Sequence, residues 1–183
     1  LPWLILLVSA LALFLRAGVG IDWSDESFTV ATVHRFWRGD LPLIDEWHRT
    51  QFFSLIMVPL YTLFRAVRGS SDGVYLFFRG AYVLWSLMLS ARAYCVLKRR
   101  GSRWAALACA LISLWYTKLN IATFSYNTGL FQCLLAAMIE YYDIARGGSI
   151  HPIRLMLCGV ALGVACVALP HMAILYISAL AIA

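Results

Sequence analysis

Charge is what this sequence has least of. Asp, Glu, Lys and Arg make up 13% of its 183 residues against 62% hydrophobic ones, and the mean hydropathy is +0.78. So few polar groups cannot cover a water-facing surface, which excludes an ordinary soluble globular domain and predicts an integral membrane protein. Acidic residues are the rarer sign, nine against fifteen Lys and Arg, for a formal charge of +6. In a soluble protein that balance suggests nucleic acid. Here the basic residues stand at the ends of apolar runs, where they report topology, so no nucleic-acid partner is expected. Cys95, Cys109, Cys133, Cys158 and Cys166 stand singly in apolar segments. That spacing suits neither a zinc site nor a disulfide framework, and they read as small core residues. With no repeat, linker or low-complexity stretch, residues 1–183 are expected to form one helical membrane domain. The chain opens on Leu1 and closes on Ala183 inside an apolar run, as expected of a part of something longer. A cleaved signal peptide is not expected, because Arg16 interrupts the first apolar run and Asp22-Trp23 follows it.

What is present is a series of apolar runs of helical length. Residues 2–19 are just long enough for a hydrocarbon core of about 30 Å. Ser24 is a good N-cap for a helix with Asp25 and Glu26 in its first turn, running to Arg38 and stopped by Gly39. Val30, Val33, Phe36 and Trp37 recur at helical spacing, so this helix is expected to lie on the membrane. Residues 52–64 are apolar almost all round but short, with Pro59 inside, and read as a second interfacial or re-entrant helix. Lys98-Arg99-Arg100 with Arg103 is the densest basic loop and is placed inside. Residues 74–97 then cross inward, 104–119 return, 128–145 go inward, and 155–169 come out. Pro170-His171 breaks that helix before a last apolar stretch. The expected fold is therefore all-α and polytopic, with five or six spans and two surface helices within an outer loop at residues 20–68.

That loop gathers most of the charge next to aromatics, and polar chemistry at a membrane surface would be done there. Asp25 and Glu26 are adjacent carboxylates at a helix N-terminus. They complement the macrodipole, and they also stand where a carboxylate could meet a lipid-borne substrate and a soluble acceptor. Arg79 lies several residues inside the outer end of its span, where a guanidinium either clamps a lipid phosphate bidentately or snorkels to the interface. Arg92, near the inner end, reads as snorkelling. Lys118 could reach a phosphate or anchor at the interface. His34 and His48 could hold a divalent metal with Asp25 or Asp45, while His171 beside Pro170 reads as a polar residue near a kink.

The order of these parts resembles the GT-C class of polytopic glycosyltransferases, close to the protein O-mannosyltransferase and aminoarabinose-transferase-like families. The matching features are Asp25-Glu26 heading a surface helix, Gly39-Asp40-Leu41-Pro42, Trp47-His48-Arg49-Thr50-Gln51 before an apolar helix with Pro59, Asp72-Gly73 with Arg79, and Ser125-Tyr126-Asn127. The resemblance implies inverting transfer of a sugar from a polyprenyl-phosphate donor to a glycan, lipid or protein hydroxyl. The transfer would occur at the outer face of the membrane, for preference a bacterial inner membrane. It implies Asp25 as the carboxylate that deprotonates the acceptor, with Glu26 as its partner. His48, Arg49 and Gln51 would help line the site, with Tyr126 and Asn127 in the next outer loop. Asn127 stands where many relatives carry Asp, which weakens a metal, so no cofactor is assigned. His171 stands near where many relatives carry a donor-facing Lys. Arg79, Arg49, Lys118 and His171 could stabilise a phosphate leaving group. Two other classes fit the same composition: a transporter or flippase with charges along a path, and a non-catalytic membrane scaffold.

Overall fold

The computed structural model describes residues 1–20, 25–48, 50–117, 122–148 and 151–182, and these form eight α-helices. They are α1 (Pro2–Ala17), α2 (Asp25–Arg38), α3 (Gln51–Arg68), α4 (Val74–Leu97), α5 (Arg103–Trp115), α6 (Tyr126–Ala145), α7 (Pro152–Ala168) and α8 (His171–Ile182). All-α architecture is thus as expected from the periodicity. Gly39 and Gly69 follow the last residues of α2 and α3, both at positive φ, and the Gly69 N–H closes α3 on the Arg65 carbonyl. Ser102 caps α5 through the Trp104 N–H, and Ser125 forms a reciprocal capping box with Thr128 at the head of α6.

Several bounds differ from expectation: α5 ends at Trp115 rather than 119, α7 begins at Pro152 rather than 155, and two further elements differ for visible reasons. The helix expected over 52–64 runs for 18 residues, Gln51–Arg68, because Pro59 lies inside it without ending it and the chain stays helical until Gly69. The helix expected from Thr128 begins two residues earlier, where the Ser125 cap sets its start.

α4 is the centre of the packing. It contacts α1, α5, α6 and α3, while α2 lies against α3 and α7 against α6. One core unites Ala10 and Leu13 of α1 with Tyr82 of α4 and Leu114 of α5. A second, beneath the loop helices, joins Val30 and Val33 of α2 to Tyr61 and Phe64 of α3 and Phe78 of α4. Small Ala residues at the α4–α5 contact let the helices approach closely: Ala106 and Ala110 pack on Tyr94. Much of the outside is apolar. Leu7, Leu11 and Leu15 of α1, Ile112 of α5 and Val160 of α7 are all more than half exposed.

Among the described residues, α4 is the helix both long and apolar enough to cross a membrane by length and composition; α1, α5 and α7 are apolar but shorter. At 1.5 Å per residue, α4 spans about 36 Å and α1 about 24 Å, against a hydrocarbon core of about 30 Å.

Candidate functional site at the helix N-termini

α2 places its two leading carboxylates in opposite kinds of surroundings. Successive helical residues are turned about 100° apart, so Asp25 and Glu26 cannot face the same neighbour. Asp25 meets α6, where Asn127 Nδ2 donates a hydrogen bond to Asp25 Oδ2 at 2.7 Å. Thr29 Oγ1 donates to the Asp25 carbonyl at 2.8 Å, tying down the first turn. Glu26 turns inward and is buried at 1% exposure. Arg79 of α4 donates to it through two parallel bonds, Nε to Oε1 at 2.6 Å and Nη2 to Oε2 at 2.5 Å.

A third bond of that guanidinium runs from Nη1 to the carbonyl of Ala17 at 2.6 Å. Arg79 therefore satisfies an orphan carbonyl at the C-terminus of α1, neutralises the head of α2 and anchors both to α4. Its side chain is 8% exposed. This is neither snorkelling nor a guanidinium left wholly for a ligand. Glu26, expected to work beside Asp25, is an internal counter-ion. Among the described residues these three bonds use three of Arg79's five N–H groups, and Arg79 borders a cavity of about 230 Å³ between α1 and α4, walled by Phe14, Gly18, Leu76 and Gly80.

α3 brings Gln51 and His48 to the same end of the fold. Gln51 is fully buried, and its Oε1 accepts the Leu43 N–H at 3.0 Å, where Leu43 adopts the left-handed conformation at φ 65°. Its Nε2 is buried with no hydrogen-bond partner among the described residues. His48 is exposed; its Nδ1 hydrogen-bonds Thr50 Oγ1 at 2.6 Å, and its ring lies 4.7 Å from that of Phe28 on α2. Phe53 closes the arrangement against α6, so tightly that a Cβ on Gly129 would sit 2.2 Å from its ring. The N-terminal turns of α2, α3 and α6 are thus joined by Asp25–Asn127, Phe28–His48 and Phe53–Gly129.

The loop between α2 and α3 is organised by Arg35. Its Nε donates to Asp40 at 2.7 Å, Nη1 to Glu46 at 2.8 Å and Nη2 to the Asp45 carbonyl at 2.5 Å. The Asp40 hydrogen bond, with the charges of Asp40, Glu46 and Asp45, raises the Arg35 pKa above its usual value, against the opposing effect of desolvation. Glu46 in turn accepts the backbone N–H groups of Trp47 and His48. The Gly39-Asp40-Leu41-Pro42 turn is therefore held in shape before any ligand arrives.

Other expected residues are less connected. Tyr126 is half-buried at the head of α6, and His171 is exposed at the head of α8, whose packing is on α7. Arg49 and Lys118 lie outside the described residues, as does Ser24. His34 pairs with Tyr61 and His48 with Thr50, so the two histidines proposed for a metal go to different partners. Among the described residues no group of three or more His, Cys, Asp and Glu is placed to hold a metal ion. The five cysteines are free thiols.

Sequence reasoning missed the polar network at the opposite end. Arg92, expected to snorkel, donates to Glu140 at 2.5 and 2.9 Å and to Asp143 at 3.0 Å, and Arg154 joins the same two carboxylates at 2.7 and 2.8 Å. The signal was available: Glu140 and Asp143 stand three apart, hence on one face of an otherwise apolar helix.

Comparison with protein-family models, with curated proteins and with solved structures finds no match to this chain.

Proposed function

We propose that this chain is part of a GT-C-like membrane glycosyltransferase that moves a sugar from a polyprenyl-phosphate donor to an acceptor hydroxyl, with inversion, and that Asp25 is the general base. The observation that carries the reading is the division of labour between the adjacent carboxylates. Glu26 is consumed in a buried ion pair, whereas Asp25 is held at the junction of α2 and α6 by the neutral amide of Asn127. An amide orients a carboxylate without taking its charge, as a base awaiting a hydroxyl proton requires. In the proposed step, Asp25 accepts the proton as the acceptor oxygen bonds to the anomeric carbon, and the bond from that carbon to the phosphate oxygen breaks. The departing phosphate takes the negative charge. Arg79 borders an apolar cavity, and its guanidinium is the group proposed to meet a lipid-borne phosphate there. Gln51 and His48 line the acceptor side. Arg49, Lys118 and His171 remain proposed phosphate partners on the resemblance alone.

The setting is part of the proposal: an integral membrane protein of five or six spans, with α2 and α3 on its outer surface and the site facing outward, for preference in a bacterial inner membrane. The exposed apolar flanks of α1, α5 and α7 support it, because residues such as Leu15, Ile112 and Val160 would be an aggregation hazard in water.

The test is single-turnover sugar release from a panel of polyprenyl-phosphate sugars in membranes, comparing wild type with Asp25→Asn. A general base contributes about 10²–10⁴-fold, so release falls by at least that range while donor binding persists. Donor consumption by neither protein, with both folded and inserted, would send the reading to transport.

A further inference from the structure

A second pocket lies on the opposite flank of α2 from Asp25, and nothing in the transferase proposal uses it. It has a volume of about 300 Å³ and is walled by Val30 and His34 of α2, Tyr61 of α3, and Ser71, Val74 and Tyr75 at the head of α4. That size is at the small end of ligand sites, which run from about 300 to 1,000 Å³. His34 stands nine residues after Asp25, which is half a turn round the helix and about 13 Å along it. The pocket is therefore separate from the Asp25 junction.

Its polar wall is one continuous relay. His34 Nδ1 and Tyr61 Oη are 2.6 Å apart, Tyr61 Oη and Ser71 Oγ 3.2 Å, and Arg65 Nη1 donates to Ser71 Oγ at 2.9 Å. Arg65 is held from behind by Trp37, its guanidinium carbon 4.8 Å above the ring centre. Because a guanidinium only donates, Ser71 must accept from it, and two arrangements of the remaining protons satisfy the relay. In one, Ser71 donates to Tyr61 and Tyr61 to His34, which leaves His34 Nε2–H as an unused donor. In the other, His34 donates to Tyr61 and Tyr61 to Ser71. The Ser71 hydroxyl hydrogen is then unused, and Nε2 of a neutral His34 becomes an acceptor. Either way the wall offers both donor and acceptor sites, beside the aromatic Tyr75 and the apolar Val30 and Val74.

We propose that this pocket binds a neutral saccharide ring. Hydroxyl groups both donate and accept, so they match the relay in either arrangement, and the carbon face of a pyranose matches the aromatic and aliphatic walls. An anion would need donors alone; among the described residues no Lys or Arg borders the cavity directly, and the Arg65 guanidinium behind Ser71 is engaged with that hydroxyl and with Trp37. The inference does not depend on the transferase reading. In a transferase, the site would hold part of a glycan acceptor outside the reacting centre.

The test is saturation-transfer NMR with methyl α-D-mannopyranoside and methyl β-D-glucopyranoside against the chain in lipid nanodiscs, with inorganic phosphate as competitor. At least one glycoside gives saturable transfer. Tyr61→Phe and Ser71→Ala weaken it about tenfold, as expected for one hydrogen bond of about 1.4 kcal/mol. Ala31→Trp, an exposed position at the pocket's rim, abolishes it, and Asp25→Asn leaves it unchanged. Since Ala31→Trp alters no buried residue, it keeps the test valid should Tyr61→Phe fail to fold. Absence of saturable transfer from either glycoside, displacement by phosphate, insensitivity to Ala31→Trp, or equal loss in Asp25→Asn would each overturn the proposal.

Discussion

Replacing Arg79 with Met tests whether the buried pair builds the candidate site or merely borders it. Glu26 is 1% exposed and has both oxygens on Arg79, while the same guanidinium holds the Ala17 carbonyl. Arg79→Met takes the cation away from a carboxylate in a low-dielectric interior, and removing one partner of such a pair costs about 3–5 kcal/mol. Against a typical folding stability of about 5–15 kcal/mol, that is a large share. The second substitution gives the sign of the argument. Arg79→Met with Glu26→Leu removes both charges and keeps apolar volume, and such replacements are neutral or stabilising. A double-mutant cycle should therefore return a coupling of about 3 kcal/mol or more, with the double variant more stable than Arg79→Met alone. Arg79→Lys should recover only part of the loss, because an ammonium cannot make two parallel bonds and also reach Ala17. The assay is reversible unfolding in mixed micelles with increasing denaturing detergent, followed by circular dichroism. A coupling below about 0.5 kcal/mol, or an Arg79→Met protein as stable as wild type that has lost donor affinity, would refute the structural role and return Arg79 wholly to the substrate.

Three further outcomes follow from the same geometry. Asn127→Ala removes the donor that orients Asp25 and should lower single-turnover release about tenfold with little change in donor affinity; Asn127→Asp should move the acidic limb of the pH–rate profile to higher pH, because two carboxylates so close resist joint ionisation. Gly129→Ala places a methyl 2.2 Å from the Phe53 ring and should destabilise by about 1–3 kcal/mol in the same unfolding assay, with much of the loss recovered by Phe53→Leu. Arg92→Met should cost only about 1–3 kcal/mol, because Arg92 is one-third exposed and Arg154 still faces Glu140 and Asp143; adding Arg154→Met should cost more than the sum of the two single losses.

Local chemistry was legible from the sequence. The eight helices follow from apolar runs punctuated by Gly39, Gly69, Gly73 and Pro170, because helix formation and termination depend on residues within a turn or two of each other. The charged loop and its neighbours could be marked as candidate chemistry for the same reason: an ionisable side chain in an apolar chain is costly wherever it lands. Pro59 misled because the rule that proline ends a helix holds only where no packing compensates, and Phe53, Tyr61 and Phe64 of α3 are buried on both sides of it. Arg92 misled because its partners lie 48 and 51 residues away on another helix.

Which partner each candidate takes was left to the tertiary structure. Asp25 and Glu26 are neighbours of like charge, and nothing local says which of them is buried against a cation. The contacts that separate them span 102 residues to Asn127 and 53 to Arg79. The turn of about 100° between consecutive helical residues sends one carboxylate to α6 and the other into the core against α4. Composition determined that these groups had to find partners; only the packing of α1, α2, α4 and α6 decided which partners they found.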